Sequence, residues 1–365
     1  MIKICFVINN LKMGGAERQF LELLKGLNKK DFDVSLYLYA ENEPLFYNEI
    51  YNIEGIKIHR EKVNSKFKVL KIFKATFNIR KFIKTNKFDL IQTSLVMNGA
   101  LVRLAALGIP HYKNKIITSI RKNFDKYPLY EKIIESVLLI NSYTITNTNY
   151  SAEKFKNFLK GYFNNKILYI YNGFNTKRFL KKKYEPRNTI TIGSVGRMTK
   201  EKNHIQILRV LSSLEKSFEV FIIGDLGTER IKLDNYKDKN LKQYDVKIMS
   251  HIHDIENYYK KMDIFILPSL YEGCPNVLFE AMLSGCFCII SENANTDDFI
   301  VNGVNGLVYD NTDSGLKKCI EETCELYPTD EGKKIIDNGY LYAKENFSIE
   351  KMINSYDFLY KKILN

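Results

Sequence analysis

The feature that most constrains this chain is an alternation, run through twice, of short apolar segments with longer stretches of helical period. In the first half, Ile2–Ile8, Asp33–Tyr39, Leu90–Thr93, Lys115–Ile120, Tyr143–Thr146 and Ile167–Tyr171 read as buried strands. Between them, Ala16–Leu27, Phe67–Thr85, Gly99–Leu107 and a segment from Ser151 read as helices. The second half repeats the pattern, with strands expected at Thr189–Val195, Phe218–Ile223, Val246–Met249, Ile264–Leu267, Cys286–Ser291 and Gly306–Tyr309. Its helices are expected at Asn203–Leu214, Ile255–Lys261, Val277–Leu283 and Ser314–Glu325, with a last one over Ile349–Ile363. Strands separated by helices must pair in parallel, because each crossover returns the chain to the same end of the sheet. The expected class is therefore α/β, with two doubly wound sheets. The polar stretch 181–188 divides them into domains 1–180 and 189–345, and helix 349–365 is expected to pack back on the first. With 365 residues each half has enough chain for its own core. Ligand sites in such sheets lie at the carboxyl ends of the strands.

Charge separates the halves. Residues 1–180 carry 30 Lys and Arg against 14 Asp and Glu, residues 181–365 carry 25 against 28, and the whole chain has formal charge +13. From Lys57 to Lys87 there are eleven basic residues and one acid, Glu61. No apolar run approaches the roughly 18–20 residues that span a bilayer. Met1–Asn10 reads as a first strand, not a signal peptide. The six cysteines form no Cys-x-x-Cys pair and no metal-spaced cluster, so they read as free thiols in a reducing, cytoplasmic setting. A nucleic-acid binder would explain the basic half, but nothing resembles a recognition helix or a base-stacking sheet.

Three segments carry chemistry. The loop after the first strand, Met13-Gly14-Gly15-Ala16-Glu17-Arg18, opens into a helix. Two glycines let the backbone approach a ligand, and the helix start offers unpaired N–H groups to an anion. The alternative is a tight turn with no ligand. The next segment, Gly193-Ser194-Val195-Gly196-Arg197-Met198-Thr199-Lys200-Glu201-Lys202-Asn203-His204, ends a strand and sets Arg197 and Lys202 five residues apart before a helix. Such cations suit a diphosphate, though a bare spacing also fits a solvated loop. In the third, Pro268-Ser269-Leu270-Tyr271-Glu272-Gly273-Cys274-Pro275-Asn276-Val277-Leu278-Phe279-Glu280, a strand runs into a loop carboxylate and then a helix with a second one. Glu280 can accept both hydroxyls of a ribose, the amides of Val277 and Leu278 suit phosphate, and Glu272 can hold sugar hydroxyls. The alternative is two acids stabilising a helix dipole.

Taken in order, these segments resemble the family 4 retaining glycosyltransferases of GT-B architecture, over essentially the whole chain. The matching residues are Gly14–Arg18, Asn172-Gly173, Gly196-Arg197, Lys202-Asn203, the Glu-x7-Glu element from Glu272 to Glu280, and Asn302–Leu307. The resemblance implies two Rossmann-like domains facing across a deep cleft, an acceptor-binding first domain and a nucleotide-sugar-binding second. It assigns the donor diphosphate to Arg197 and Lys202, the ribose to Glu280, and the transferred sugar to Glu272. Gly14 and Gly15, with Asn276, Val277 and Leu278, complete the donor site. Where the family often has a histidine near the reacting sugar, this chain has Arg121, in a variant that looks like that of bacterial surface-polysaccharide enzymes. Arg121 is read either as meeting a donor or acceptor phosphate or as a surface ion pair. A second departure, Asn295-Thr296-Asp297-Asp298-Phe299, stands where the family usually has a glycine.

The expected activity is metal-independent, retaining transfer of a hexose or N-acetylhexosamine from a nucleotide-sugar, UDP by family habit, to a lipid-linked saccharide. No metal or other cofactor is expected, since no Asp-x-Asp motif is placed to hold a diphosphate; no carboxylate stands out as a nucleophile, so front-face attack with the departing phosphate as base is expected. The basic segment 57–87 interleaves aromatics and cations at helical spacing. That suits an anionic membrane surface at the inner face of the cell membrane; the alternative is a helix packed on the sheet with its lysines in water. A catalytically silent nucleotide-sugar-binding subunit, or an epimerase or phosphorylase of the same architecture, are the remaining readings. No nucleic-acid partner is expected.

Overall fold

The structure, a computed structural model, describes residues 1–9, 11, 15–39, 48–63, 67–185, 189–224, 227–250, 252 and 254–365. Contacts divide the chain into two compact units, 1–173 with 349–365, and 174–348. In the first unit the strands are β1 (Ile2–Ile8), β2 (Phe32–Leu38), β3 (Ile56–Arg60), β4 (Leu90–Ser94), β5 (Ile116–Ile120), β6 (Tyr143–Thr146) and β7 (Ile167–Tyr169). Its helices are α1 (Gly15–Gly26), α2 (Lys68–Asn86), α3 (Val96–Ala106), α4 (Leu129–Leu138) and α5 (Asn149–Phe158). The sheet order is β3-β2-β1-β4-β5-β6-β7, with every pairing parallel.

The second unit contains β8 (Ile190–Val195), α6 (His204–Leu211), β9 (Phe218–Ile223), α7 (Arg230–Asn240), β10 (Asp245–Met249), α8 (Ile255–Tyr259) and β11 (Ile264–Leu267). It continues through α9 (Asn276–Leu283), β12 (Phe287–Ser291), β13 (Leu307–Tyr309), α10 (Asp313–Leu326) and α11 (Asp330–Asn346). Its order, β10-β9-β8-β11-β12-β13, is again wholly parallel. Both sheets reverse direction beside their first strand, which places the switch point at β1/β4 in one unit and β8/β11 in the other. The last helix, α12 (Ile349–Leu364), belongs to the first unit.

Strand period decides the cores. Along β1, Ile4, Phe6 and Ile8 enter one cluster with α1 and with Met352, Tyr356, Leu359 and Tyr360 of α12. Cys5 and Val7 enter the cluster on the opposite face, under α2 and α3. No disulfide joins any of the six cysteines, and burial pushes the Cys286 thiol up to about 12.

Four elements have no counterpart in the sequence reading: β3, α4, α7 and α11. β3 is a half-exposed edge strand, and α7 buries Leu233 alone, so neither has an apolar face to signal it. Helix α5 starts two residues before Ser151, because the Thr148 side chain accepts a hydrogen bond from the Ser151 amide and caps it there.

Candidate functional site

In the second unit the site is built at the carboxyl ends of β8 and β11. A Cβ on Gly224 would lie 1.8 Å from the Gly196 carbonyl oxygen, and one on Gly227 would lie 2.0 Å from that of Met198. The loops after β8 and β9 therefore press backbone on backbone, as only glycine permits. The Gly196 amide donates to Ile223 at 2.9 Å and the Glu229 amide to Met198 at 3.0 Å, which holds Arg197 in a braced loop.

His204 supplies a second brace. It is buried at the start of α6, with Nε2 3.2 Å from the Gly196 carbonyl and Nδ1 3.1 Å from Ser194 Oγ. Burial pushes its pKa down to about 4, so the ring is neutral at pH 7. The tautomer protonated on Nε2 donates to Gly196, leaving Nδ1 facing the Ser194 hydroxyl, which also lies 2.8 Å from the Ile266 carbonyl. The sequence reading quoted this histidine without a role; its place one residue after the basic loop was the available signal.

Lys202 and Glu272, 70 residues apart, meet as an ion pair of 2.5 Å, with side chains only 18% and 10% exposed. The Ser269 hydroxyl donates to the same Glu272 oxygen at 2.7 Å, and the Ser291 hydroxyl donates to the Ser269 carbonyl at 2.6 Å. The Leu270 amide donates to the Glu201 carbonyl at 2.8 Å, stitching the two loops together. A cation and a carboxylate are thus held at one point with little freedom. Arg197 is different: its side chain is 67% exposed and lies 3.6 Å from Glu201. One cation is positioned and the other keeps its reach.

Glu280 is buried in α9, where the buried Tyr259 phenol donates to its Oε2 at 3.0 Å. Its neighbour Phe279 stacks on Phe347 with centroids 3.6 Å apart, and also meets Phe174 and Phe299, which locks the rotation of α9. At the start of that helix, after Pro275, the amide of Asn276 donates to Cys274 and that of Leu278 to Pro275, each at 3.0 Å. Leu278 N–H is therefore engaged in the helix's first turn and differs from the expected phosphate donor; Val277 has no such bond. In the Asn295–Phe299 segment, Asp298 takes φ +50°, the left-handed conformation that a glycine adopts without cost and that Asp tolerates. Asn295 exchanges two hydrogen bonds with Ile300, at 2.8 and 2.9 Å, and fixes that turn.

In the first unit, Gly14 lies outside the described residues, and Gly15 is the first residue of α1. Gln19, buried on α1, donates to the Gly173 carbonyl and accepts from the Gly173 amide, both at 2.9 Å. This ties the glycine-rich helix to Asn172-Gly173 through a residue that sequence reasoning passed over; a glutamine on the apolar side of a helix was the clue. Arg121, just past β5, donates to Asn172 Oδ1 at 2.5 Å and lies 3.5 Å from the Tyr356 hydroxyl on α12. Tyr356 is 3.2 Å from Ser119 Oγ, Gln92 donates to Ser119 at 2.8 Å, and Tyr360 donates to Gln92 at 3.4 Å.

Among the described residues no carboxylate pairs with Arg121, and its Nε is buried without a partner. The surface ion-pair alternative finds no partner among the described residues, where the contacts holding this arginine are neutral. Elsewhere near these strand ends, among the described residues, the hydroxyls of Thr93, Ser94 and Thr118 and Oδ1 of Asn147 are also buried without partners, and Leu95 has φ +74°. His111 bonds the Phe88 carbonyl at 2.8 Å and belongs to the scaffold. Among the described residues no three His, Cys, Asp or Glu side chains gather as metal ligands would.

The chain matches two family models, Glycosyltransferase Family 4 over residues 13–178 and Glycosyl transferases group 1 over residues 175–341. A capsular polysaccharide biosynthesis glycosyltransferase of Staphylococcus aureus is 25% identical over 321 residues, 82% of this chain and 84% of that one. A Campylobacter jejuni enzyme, named as an alpha-1,4-N-acetyl-D-galactosaminyltransferase acting on a saccharide-PP-undecaprenol, is 27% identical over 94% of each chain. Among solved structures, a glycosyltransferase of Rickettsia africae superposes with TM-score 0.84 at 22% identity, covering 100% of this chain and 99% of that one. The Anabaena protein HepE, in complex with UDP and glucose, gives 0.81 at 16% identity over 99% and 100%. The chain belongs to the family 4 glycosyltransferases, with two parallel doubly wound units in the GT-B fold class.

Proposed function

We propose that this glycosyltransferase moves a hexose or N-acetylhexosamine, with retention, from a UDP-sugar to a lipid-linked saccharide in surface-polysaccharide synthesis, without a metal. The observation that carries the reading is the braced Lys202–Glu272 pair, with Glu280 buried on the helix that follows. Arg197 and Lys202 take up the negative charge that grows on the departing diphosphate, which is electrostatic stabilisation by preorganised donors. Glu272, oriented by Ser269, holds the hydroxyls of the transferred sugar, and Glu280 holds the ribose. Asn276 and the amide of Val277 complete the donor site in the second unit, and Gly14 and Gly15 are read as phosphate contacts. The acceptor hydroxyl attacks the anomeric carbon on the face from which the diphosphate leaves, and the departing phosphate oxygen takes its proton. Arg121, with no carboxylate partner among the described residues, meets a phosphate of donor or acceptor.

The lipid-linked acceptor is supported by relatives such as the Campylobacter enzyme and an Escherichia coli protein named as a UDP-Gal:GlcNAc-diphosphoundecaprenol galactosyltransferase, 25% identical over 86% of this chain and 84% of that one. Among the described residues no helix is long and apolar enough to cross a membrane. Access to such an acceptor is assigned to peripheral contact of the basic segment 57–87 with an anionic inner leaflet.

The test is thermal-shift binding of UDP, GDP and their sugar conjugates in EDTA, for the wild type and Glu280→Ala. Stabilisation by one nucleotide without metal, lost in the variant, is the expected result. No shift with any of them would favour a silent scaffold, and a product anomer inverted relative to the donor would overturn retention.

A further inference from the structure

Helix α4 is amphipathic the wrong way round. Its one buried residue is Glu135, while Leu129, Ile133 and Val137, with Ile140 just beyond its end, form an exposed stripe at i, i+4, i+8 and i+11. A helix anchored by apolar packing would bury that stripe. Here, among the described residues, only Ile134 packs against a core cluster, and the buried anchor is a charge pair: Arg103 of α3 donates to both Glu135 oxygens at 2.7 and 2.9 Å, with side chains 3% and 1% exposed, and Thr144 hydrogen-bonds both partners. Such a buried pair holds the helix in one rotation, and that rotation presents the apolar side to solvent.

The stripe continues across its neighbours. Helix α3 packs between α2 and α4 and exposes Leu104, and α2 exposes Leu70, Phe73 and Phe77. Further along its outward side α2 carries the exposed Lys81 and Lys84, and the helix contains no acidic residue.

We infer that the α2–α3–α4 face is a single docking surface for an anionic lipid monolayer, with α4 inserting its stripe among the acyl chains. The inference rests on the reading of segment 57–87 as facing an anionic leaflet, and extends it to a helix outside that segment. Charge complementarity selects this occupant. A monolayer offers an apolar layer beneath anionic headgroups, matching an apolar stripe flanked by lysines. A second copy of the chain, docked by two-fold symmetry, would set the lysines of one α2 against those of the other.

The chain contains no tryptophan, so Ile133→Trp in the full-length protein gives a single reporter. Ile231→Trp, at a site 74% exposed in the second unit, is its control. The probe is vesicles of equimolar phosphatidylglycerol and phosphatidylcholine, some with brominated acyl chains. The expected result is a blue shift and quenching at position 133 and neither at 231. Replacing Ile133, Val137 and Ile140 together by serine should weaken vesicle binding about tenfold or more, with the UDP thermal shift unchanged as evidence of folding. Wild-type-like binding by the triple variant, with an unshifted Ile133→Trp spectrum, would overturn the inference and leave the α2 reading standing. No vesicle binding by the wild type would overturn both. A blue shift without vesicles, growing with protein concentration, would assign the face to a second copy and overturn the lipid.

Discussion

The two units share a plan and differ in what they show to the outside. Each is a parallel sheet that starts at an inner strand, runs outward to one edge, and crosses back to fill the other side. Yet the first unit exposes apolar side chains in stripes along α2, α3 and α4, amid an excess of lysine. The second exposes a few scattered ones, among them Leu180, Ile231, Val301 and Leu341, around a near-balanced charge. Their carboxyl ends differ too. In the second unit Lys202 is paired with Glu272 and the neutral His204 braces Gly196, while Arg197 stays exposed. In the first, Arg121 has no carboxylate partner among the described residues, and several hydroxyls of β4 and β5 are buried there without partners. A site with one cation already matched and held, and a second free to reach, suits a ligand whose charged part always looks the same. One whose cation meets only neutral groups among the described residues suits a ligand that brings the missing charge. The same scaffold therefore serves two recognition tasks, and its surface chemistry separates them.

That contrast can be broken by experiment. Lys202→Ala should have the largest effect, cutting kcat by about 10²–10³ as expected for loss of one preorganised charge donor, with vesicle binding untouched. A variant that keeps its kcat would move the chemistry away from the Lys202–Glu272 pair. Arg121→Ala should lower kcat/KM for a diphosphate-linked acceptor by about tenfold to a hundredfold, the order expected for a charge-assisted contact. It should leave the UDP thermal shift in place. Loss of that shift would return Arg121 to the donor and erase the division of labour.

The smallest effect concerns His204. Its folded pKa of about 4 lies below the ordinary value of 6.5. Between those values the unfolded chain takes up the proton and the folded one does not. The stability His204 contributes is present above pH 6.5 and is lost as pH falls toward 4, by up to a few kcal/mol. Urea titrations across that window should show the second unit weakening, with a shallower slope in His204→Gln. Equal slopes in the two proteins would remove the histidine's bracing role.

Much of this architecture is legible in the chain alone. Fully buried parallel strands such as Ile264–Leu267 are short apolar runs, and doubly wound order follows from their alternation with helices. The site was legible where a residue type announces its chemistry, as with Arg197, Lys202, Glu272 and Glu280. Residues that only orient others were not: Gln19 and Tyr259 act through contacts with partners far along the chain, and no local pattern encodes such a contact. Helix α4 was missed for another reason, since its apolar period is real but faces outward.

The sequence by itself determined the class of fold, the order of its elements, the concentration of positive charge in the first half, and the functional groups at the strand ends. All of these depend on local composition and period. Only the tertiary structure decided that Lys202 would meet Glu272, that Arg121 would be held by neutral groups, and that α4 would turn its apolar side to solvent. Those outcomes hang on pairings across 70 residues in the first case and, for α4, on a buried ion pair with a different helix. A contact of that kind exists only once the sheet has set both partners at the same place.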